Sequence, residues 1–564
     1  MKKQTAIVWC VCMLYLLIIM QVIPITYAIN DDVAMRDIAS GSLTGTPDYH
    51  LIFIKAAFGW VLTGLYRCFE GIDWYGCVFL GMMVLCCGIL LERWNSWCIQ
   101  KDKKPWYIIG WYVIGITGIL LEHMLNFQFT VTAAILAGTA IFLYGTAGRE
   151  ENNFYGRTGS VLILLWLSFC VRSDVLFMAV PFGGLIFLAK ADSIKRKVIT
   201  ALIAMVGLLG IMVFEKEAYG SEDWQAYLSY NDERSMVYDY YGVPAYEENR
   251  EFYEKIGLKE YDVENLKRYN LCFVNDLETG KMHQIAGYAK EQYFAENSLE
   301  KRIKAGIKAA LKGELDPENL LLNGLTKFVI GFNIFLSLKR KKKKEFLTNL
   351  GFLLCEGGLI SYLGLQGRFP TRVGTALFLI ELGSAAALLY QEELGTESLD
   401  WRKNKVRLSY ITGALILLFG ARLFSIKQKQ QKMYQYNREY EILQDFYQEH
   451  EENVYFIAEW FVSGYSDIFH LQRKNSKANG FEMGGWLALS PIYEEELRQN
   501  GIECSADEAI IENENVYVIL VAPSSKIEAH YEEKYHDIMW EQKDCAPVFS
   551  TEVPVFKIIG GETV

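Results

Sequence analysis

Apolar residues in this 564-residue chain are gathered into blocks of about 15–22, and that spacing constrains the fold more than any other feature. A helix crosses a bilayer core in about 20 residues, so each block is long enough to span a membrane. Candidate spans fall near 6–28, 74–92, 106–121, 124–146, 158–172, 174–190, 197–214, 322–338, 346–366, 373–391 and 406–424, about eleven in all. The hydrophobic fraction of 51% is close to that of soluble proteins, so it is the distribution that decides. Two polar stretches separate and follow the blocks. The expected architecture is a membrane α-helical bundle with an extracytoplasmic insertion and a small extracytoplasmic α/β C-terminal domain. Its parts are an N-terminal transmembrane module (1–214), a helical insertion (215–321), a C-terminal transmembrane module (322–424) and the α/β domain (425–564).

Charge placement sets the topology. Lys2 and Lys3 precede the first block, so Asn30-Asp31-Asp32 emerges on the outer side whether that block is an uncleaved span or a signal peptide cut after Thr26-Tyr27-Ala28. An uncleaved span is preferred, because the block is long and bulky to its end. Cytoplasmic loops then carry Arg93 with Lys101, Lys103 and Lys104; Arg149 and Arg157; Lys190 with Lys195, Arg196 and Lys197; Lys339 through Lys344; and Arg402, Lys403 and Lys405. All fall on one side, as the positive-inside rule requires. Making residues 51–69 a span would invert every later loop, and Lys55 and Arg67 interrupt that run. It reads instead as a helix at the outer interface. The first outer loop, 29–73, is therefore long, and loops of that length are usually functional. The expected location is a multi-pass cell-membrane protein with a cytoplasmic N-terminus and an extracytoplasmic C-terminal domain.

Within the insertion, helices are expected at 245–257, 263–270 and 297–313. Beyond 425 a helix (434–449) precedes strands at 454–458 and 516–521, with turns at Asn479-Gly480 and Gly484-Gly485. The net charge of −11 argues against a nucleic-acid partner. Most of the 12 cysteines sit in apolar runs and none forms a C-x-x-C pair. Cys504 and Cys545 read either as free thiols or as a disulfide of an oxidising compartment, a bond that would leave Cys272 over.

Several outer-side groups bear chemistry. Asp31 and Asp32 are adjacent carboxylates at the end of a span. They read as an acid–base pair with one raised pKa, as ligands of a divalent cation, or as a polar stop that caps a helix. Asp48 and His50 read either as sugar or phosphate contacts or, for Asp48, as the cap of the 51–69 helix. Glu122 and His123 sit in a tight outer turn between two apolar runs. Arg172 reads as a lipid-phosphate ligand or as the local partner of Asp174. Arg368 and Arg372 run against the positive-inside tendency, which a bound phosphate or pyrophosphate would justify, as would a turn pairing with Glu381 or lipid head groups. Arg234 and Asp239 read as structural. Trp486 reads as core or as a sugar-stacking face, and the Lys339–Lys344 block as a topology signal touching anionic lipid. Phosphate-loop, H-E-x-x-H and G-x-S-x-G signatures are absent, and the spans read as lacking the charges of an ion-coupled transporter.

An N-terminal span ending in Asp31-Asp32, a long first outer loop with an interfacial helix, about eleven spans and an outer C-terminal domain resemble the GT-C superfamily of membrane glycosyltransferases. The Asn231–Tyr241 and Gly484-Gly485-Trp486 segments also look like polytopic membrane proteins of Gram-positive bacteria, which implies no activity. The first resemblance implies a polyprenyl-phosphate-linked sugar donor, a cell-envelope glycan or protein acceptor, and an inverting transfer on the outer face. Asp31 or Asp32 would then be the catalytic base. Arg368 and Arg372, with Arg172, would stabilise the leaving phosphate, with Asp48, His50, Glu122 and His123 as further substrate contacts. No cofactor is implied beyond a divalent cation at Asp31 and Asp32. Two rivals stay open: a polysaccharide polymerase or ligase of the envelope, and a non-enzymatic flippase or assembly protein.

Overall fold

The computed structural model describes residues 2–147, 154–190, 192–274, 276–394, 405–458, 466–469 and 478–561. Arg149, Arg402 and Lys403 of the expected basic loops lie outside these residues. Helix α1 (Lys2–Val22) is followed by a two-residue strand β1 (Thr26–Tyr27), then α2 (Asn30–Ser40) and α3 (Ala56–Cys68). The first module continues through α4 (Trp74–Gln100), α5 (Pro105–Ile119), α6 (Leu121–Leu125), β2 (Asn126–Phe127), α7 (Phe129–Thr146), α8 (Phe154–Val171), α9 (Ser173–Ala189) and α10 (Ile194–Ala218). The insertion holds α11 (Glu222–Met236), α12 (Arg250–Lys255), α13 (Glu260–Lys267), α14 (Met282–Glu296) and α15 (Leu299–Glu314). The second module is α16 (Leu320–Lys339), α17 (Lys343–Leu365), α18 (Thr371–Leu394) and α19 (Lys405–Glu449).

Among the described residues seven helices are long and apolar enough to cross a membrane: α1, α4, α7, α10, α16, α17 and α18. Helices α5, α8 and α9 are apolar but shorter. The eleventh expected span, 406–424, lies in the first half of α19. The chain is a multi-pass membrane protein. Its most enclosed helix is α7, which has 94% of its apolar window buried, whereas α10 has 6% buried and turns its flanks outward. Close helix approaches hold the centre together. A Cβ at Gly138 of α7 would stand 3.0 Å from the Leu379 carbonyl oxygen of α18.

Three of the basic residues, Arg93, Arg157 and Lys190, sit near one another. Arg93 donates to the Thr146 carbonyl and the Tyr390 hydroxyl, Lys190 Nζ donates to the Tyr144 carbonyl at 2.7 Å, and Arg157 lies 3.7 Å from Glu92. Residues 51–69 form no span. The 13-residue α3 buries Phe58, Leu62 and Tyr66 and exposes Trp60 and Val61, an amphipathic split suited to an interface. Lys55 at its N-cap pairs with Glu215 of α10 at 3.2 Å.

One expectation about the spans is corrected. Lys327 of α16 pairs with Glu381 of α18 at 3.2 Å and also with Glu356 of α17. Both carboxylates are buried. Charged groups in the apolar phase persist when they pair, and the triad ties three helices together. Sequence alone hid it because each charge stands singly in an apolar run.

The C-terminal module is a five-stranded sheet of order β4-β3-β5-β7-β6. Its strands are β3 (Val454–Ile457), β4 (Gly480–Glu482), β5 (Val516–Ile519), β6 (Met539–Val548) and β7 (Thr551–Ile559). The first three are parallel, and β6 and β7 form an antiparallel hairpin added to β5. Both faces are covered. Val454 and Phe456 pack with Tyr493 and Leu497 of α20 (Pro491–Gln499), Ile510 of α21 (Ala506–Glu512) and Ile527 of α22 (Ser525–Tyr531). Tyr455 and Ile457, pointing the other way, pack on Leu443, Phe446 and Tyr447 of α19. The boundary expected at 424/425 falls inside α19, which runs unbroken for 45 residues from the membrane module to the sheet. Asn479-Gly480 is not a turn: Gly480 opens β4, and the Asn479 amide donates to the Tyr447, His450 and Asn453 carbonyls. Cys504 and Cys545 are free thiols.

Two seams bind the C-terminal module to the first loop. Strand β1, itself paired in parallel with β2 of the first module, reaches the C-terminal module through Tyr27 N–H, which donates to the Asp467 carbonyl at 3.0 Å, and a Thr26–Ile468 bridge. Beside them the buried Arg36 reaches Asp467 at 2.6 Å and Asp37 at 3.0 Å. The start of α2 is thereby fixed against residues more than 400 positions away.

Candidate functional site

Asp31 and Asp32 occupy the first turn of α2, where carboxylates suit the helix dipole. Successive helical residues point about 100° apart, so the two carboxylates part company. Asp32 turns inward and is fully buried. Its Oδ1 accepts the Tyr75 hydroxyl at 2.7 Å and the Phe129 N–H at 3.2 Å, while Oδ2 is buried with no hydrogen-bond partner. Burial pushes its pKa far above the ordinary carboxylate range, and Asp31 next door adds to the rise. Asp31 faces a cavity of about 1440 Å³ enclosed by α2, the α8–α9 and α17–α18 turns, the insertion and the C-terminal sheet.

Asp31 is held from the C-terminal module. The Trp486 indole N–H donates to its Oδ1 at 3.0 Å. Trp486 is placed by a tight approach: a Cβ at Gly484 would stand 1.9 Å from the Tyr269 carbonyl oxygen, so only glycine fits there, and Gly485 follows in the left-handed region at φ +90°. The Trp486 carbonyl in turn accepts the Tyr227 hydroxyl, and its ring meets Phe53 edge-on at 4.9 Å.

The cavity has two electrical poles. Arg172, Arg234, Arg368 and Arg372 line the basic one. Arg172 pairs with Asp174 at 2.9 Å and lies over the Phe53 and Phe129 rings at 5.6 and 5.5 Å. Arg234 donates to Asn231 at 3.0 Å and to the Tyr269 hydroxyl, and Arg368 pairs with Asp239. Arg372 has no hydrogen bond or ion pair to any described residue. It stands in the first turn of α18, whose N-terminal dipole adds positive potential to the same wall.

The acidic pole is Asp31, Glu482 and Glu496. Burial raises the Asp31 pKa, and Arg372, the Trp486 N–H, Arg172 and Arg234 hold that rise back. Glu482, on β4, stands open to the cavity while protein encloses the cavity itself. That enclosure, with the Asp31 charge nearby, pushes its pKa up to about 7. Glu496 of α20 is 3% exposed, and burial followed by Asp37 and Glu482 raises its pKa well above the usual range.

Four of the sequence-predicted groups therefore converge on one cavity: Asp31, Arg172, Arg368 and Arg372. Five do not line it: Asp32, Asp48, His50, Glu122 and His123. His50 Nδ1 bonds Asp48 Oδ1 at 2.7 Å and its Nε2 bonds the Ala218 carbonyl at 2.9 Å, while its ring stacks on Trp224 at 4.5 Å. Asp48 is not the cap of α3, a position that Lys55 holds. Glu122 accepts Arg422 and Lys429 of α19 at 2.6 Å each. Burial pushes the neighbouring His123 imidazole down to about 4. Glu381, the alternative partner of Arg368 and Arg372, pairs with Lys327 instead. Among the described residues no group of three or more His, Cys, Asp or Glu side chains is arranged to hold a metal ion. Asp32, turned away from Asp31, does not complete a cation site.

Sequence reading missed Glu482 and Glu496 and gave Arg234 a structural role. The available signal was Glu482 itself, a carboxylate between the buried Phe481 and Met483 and just before Gly484-Gly485.

No family profile and no curated protein matches the chain. Two solved structures align with 98% of it. They are ArnT from Cupriavidus metallidurans bound to undecaprenyl phosphate (TM-score 0.41) and the same protein in the apo state (TM-score 0.38), each at 9% identity with 97% of its own chain covered. Likeness at this level concerns the course of the chain and not the site.

Proposed function

We propose that this protein is an inverting membrane glycosyltransferase that moves a sugar from a polyprenyl-phosphate-linked donor to a cell-envelope acceptor on the outer face of the membrane. The observation that carries the reading is the bipolar cavity, in which the Asp31 carboxylate faces the same space as the unpaired Arg372. A glycosyl transfer needs both poles: a base for the incoming hydroxyl and fixed positive charge for the departing phosphate.

In the reaction, the acceptor hydroxyl hydrogen-bonds to Asp31, which takes its proton as the oxygen attacks the anomeric carbon. The bond from that carbon to the donor phosphate oxygen breaks from the opposite face, and the electron pair leaves with the polyprenyl phosphate. Arg372 and the N-terminus of α18 stabilise the phosphate charge, and Arg172 adds its own because its partner Asp174 is solvent-exposed. Arg368 and Arg234, already engaged with Asp239 and Asn231, shape the wall rather than offer a free fork. Trp486 orients Asp31, and its N–H, with Arg372, favours the ionised form against the rise that burial causes. Asp32 supports the α2 start and takes no proton in the reaction.

The test compares Asp31→Asn with Asp32→Asn in cells, scored by envelope-glycan composition at equal protein level. Asp31→Asn lowers the modified glycan by about 10²-fold or more, the usual worth of a general base, and Asp32→Asn leaves it near wild type. An unchanged glycan in the Asp31→Asn strain refutes the assignment.

A further inference from the structure

Helix α15 carries three different faces along its 16 residues. On one face Gly306 and Gly313 are buried. A Cβ at Gly306 would lie 3.0 Å from the Gly364 carbonyl, and Gly313 abuts Phe369. Gly364 is one residue from the end of α17, and Phe369 lies in the turn that follows, so α15 packs at the level where a span leaves the bilayer. A second face, rotated from the glycine face, holds Leu299, Ile303, Ile307 and Leu311, continued by Leu315 just past the helix end. All are exposed, from 43% at Ile303 to 66% at Leu315. The third face holds Lys301, Lys304, Lys308 and Lys312, also exposed.

With its dense charge the helix is not a span, and no described residue covers its apolar stripe. The same stripe runs on into the exposed Leu320 and Leu321 at the start of α16, whose outward side continues through Phe328 and Phe335. An apolar face continuous with the lipid-facing side of a span meets lipid, and a row of lysines beside it meets anionic head groups.

We propose that α15 is a membrane-surface helix that lies in the leaflet on the cavity side and docks anionic phospholipid head groups along its lysine row. Its apolar stripe sits among the acyl chains and its glycine face grips α17, while Lys308 and Lys312, with Lys304 exchanging its exposed Glu300 partner and Lys301 its Glu296 carbonyl, reach up to the head-group phosphates. The helix then leads through Asp316, which accepts the Thr371 hydroxyl at 2.6 Å, to the arginine-bearing start of α18. The docking surface therefore adjoins the basic wall of the cavity, yet it stands whether or not sugar transfer is the reaction there.

The experiment uses the full-length protein in nanodiscs of phosphatidylcholine with phosphatidylglycerol. A fluorescent amino acid replaces Ile303 or Ile307 in one set and Lys301 or Lys308 in another. Monodisperse particles are selected, and all four positions point away from the glycine contacts. Acyl-chain-brominated lipid quenches the 303 and 307 probes at least about twofold more than the 301 and 308 probes, and aqueous iodide shows the reverse order. Replacing Lys301, Lys304, Lys308 and Lys312 together by Gln lowers the phosphatidylglycerol retained on purification, relative to phosphatidylcholine, at least about fivefold, a single surface lysine being worth about that factor. Iodide reaching 303 and 307 as readily as 301 and 308 overturns the proposal. So does unchanged lipid selectivity in the Gln variant, or protection of the stripe by a second copy of the chain.

Discussion

Replacing Asp32 separates the two neighbouring carboxylates most cleanly, because the structure assigns them opposite environments. Asp32→Ala strips the Tyr75 hydroxyl and the Phe129 N–H of their shared acceptor. Each buried group left unsatisfied costs about 1–3 kcal/mol, so the loss is about 2–6 kcal/mol before any relaxation. Asp32→Asn keeps an oxygen at the Oδ1 position and accepts both bonds. It also removes a titration. The folded pKa of Asp32 lies above its unfolded value, so its contribution is fully present below the unfolded pKa and is lost as pH rises through the folded one. The Asn variant therefore matches wild type in acid and overtakes it at high pH, while the Ala variant is weaker throughout. Thermal unfolding of the purified protein in detergent, followed across pH 5 to 9, reads both effects. The reasoning fails if Asn destabilises as much as Ala, or if the wild-type and Asn curves run parallel across the whole range.

Trp486→Phe removes the N–H that Asp31 accepts at 3.0 Å. A hydrogen bond to a charged group is worth about 1.5–3 kcal/mol, and Asp31 borders an open cavity, so the low end applies: the acidic limb of the kcat/KM profile moves upward by about one pH unit. Arg372→Gln weakens polyprenyl phosphate binding, measured by native mass spectrometry in detergent, by about 10-fold or more, whereas Asp239→Asn releases Arg368 from its ion pair and tightens it. Glu482→Gln flattens a pH dependence of stability. The pKa of Glu482 is raised to about 7, so wild type loses stability as pH rises through that value, and melting curves of the Gln variant lack the fall.

The membrane bundle was legible because bilayer thickness imposes a length on each span. The 51–69 segment is a case in point: Lys55 and Arg67 kept it out of the span count, and it folds as the short α3. The clustering of Asp31 with Arg172, Arg368 and Arg372 was legible for the same reason, since all four stand at one end of their helices. Residues whose positions depend on tertiary closure were not. Glu482 and Trp486 reach the cavity only because the sheet docks on α2, and nothing in their local sequence states that docking. Asp48 and His50 turned toward Trp224, a contact across more than 170 residues that no local pattern encodes. The Lys327 triad was missed because a lone charge in an apolar run looks like an exception until its partners on two other helices are known.

The hydrogen bond between Asp31 and Trp486 joins residues 455 positions apart, and this has a consequence for how the protein comes into being. Asp31 leaves the ribosome early, just after the first candidate span. Trp486 follows only after every other span has been made. Until then the cavity lacks a wall and its carboxylate lacks an orienting partner. A chain released before residue 486 carries a complete membrane bundle and an unfinished centre. The order of synthesis thus acts as an interlock, under which no nascent form of this protein carries the cavity already assembled.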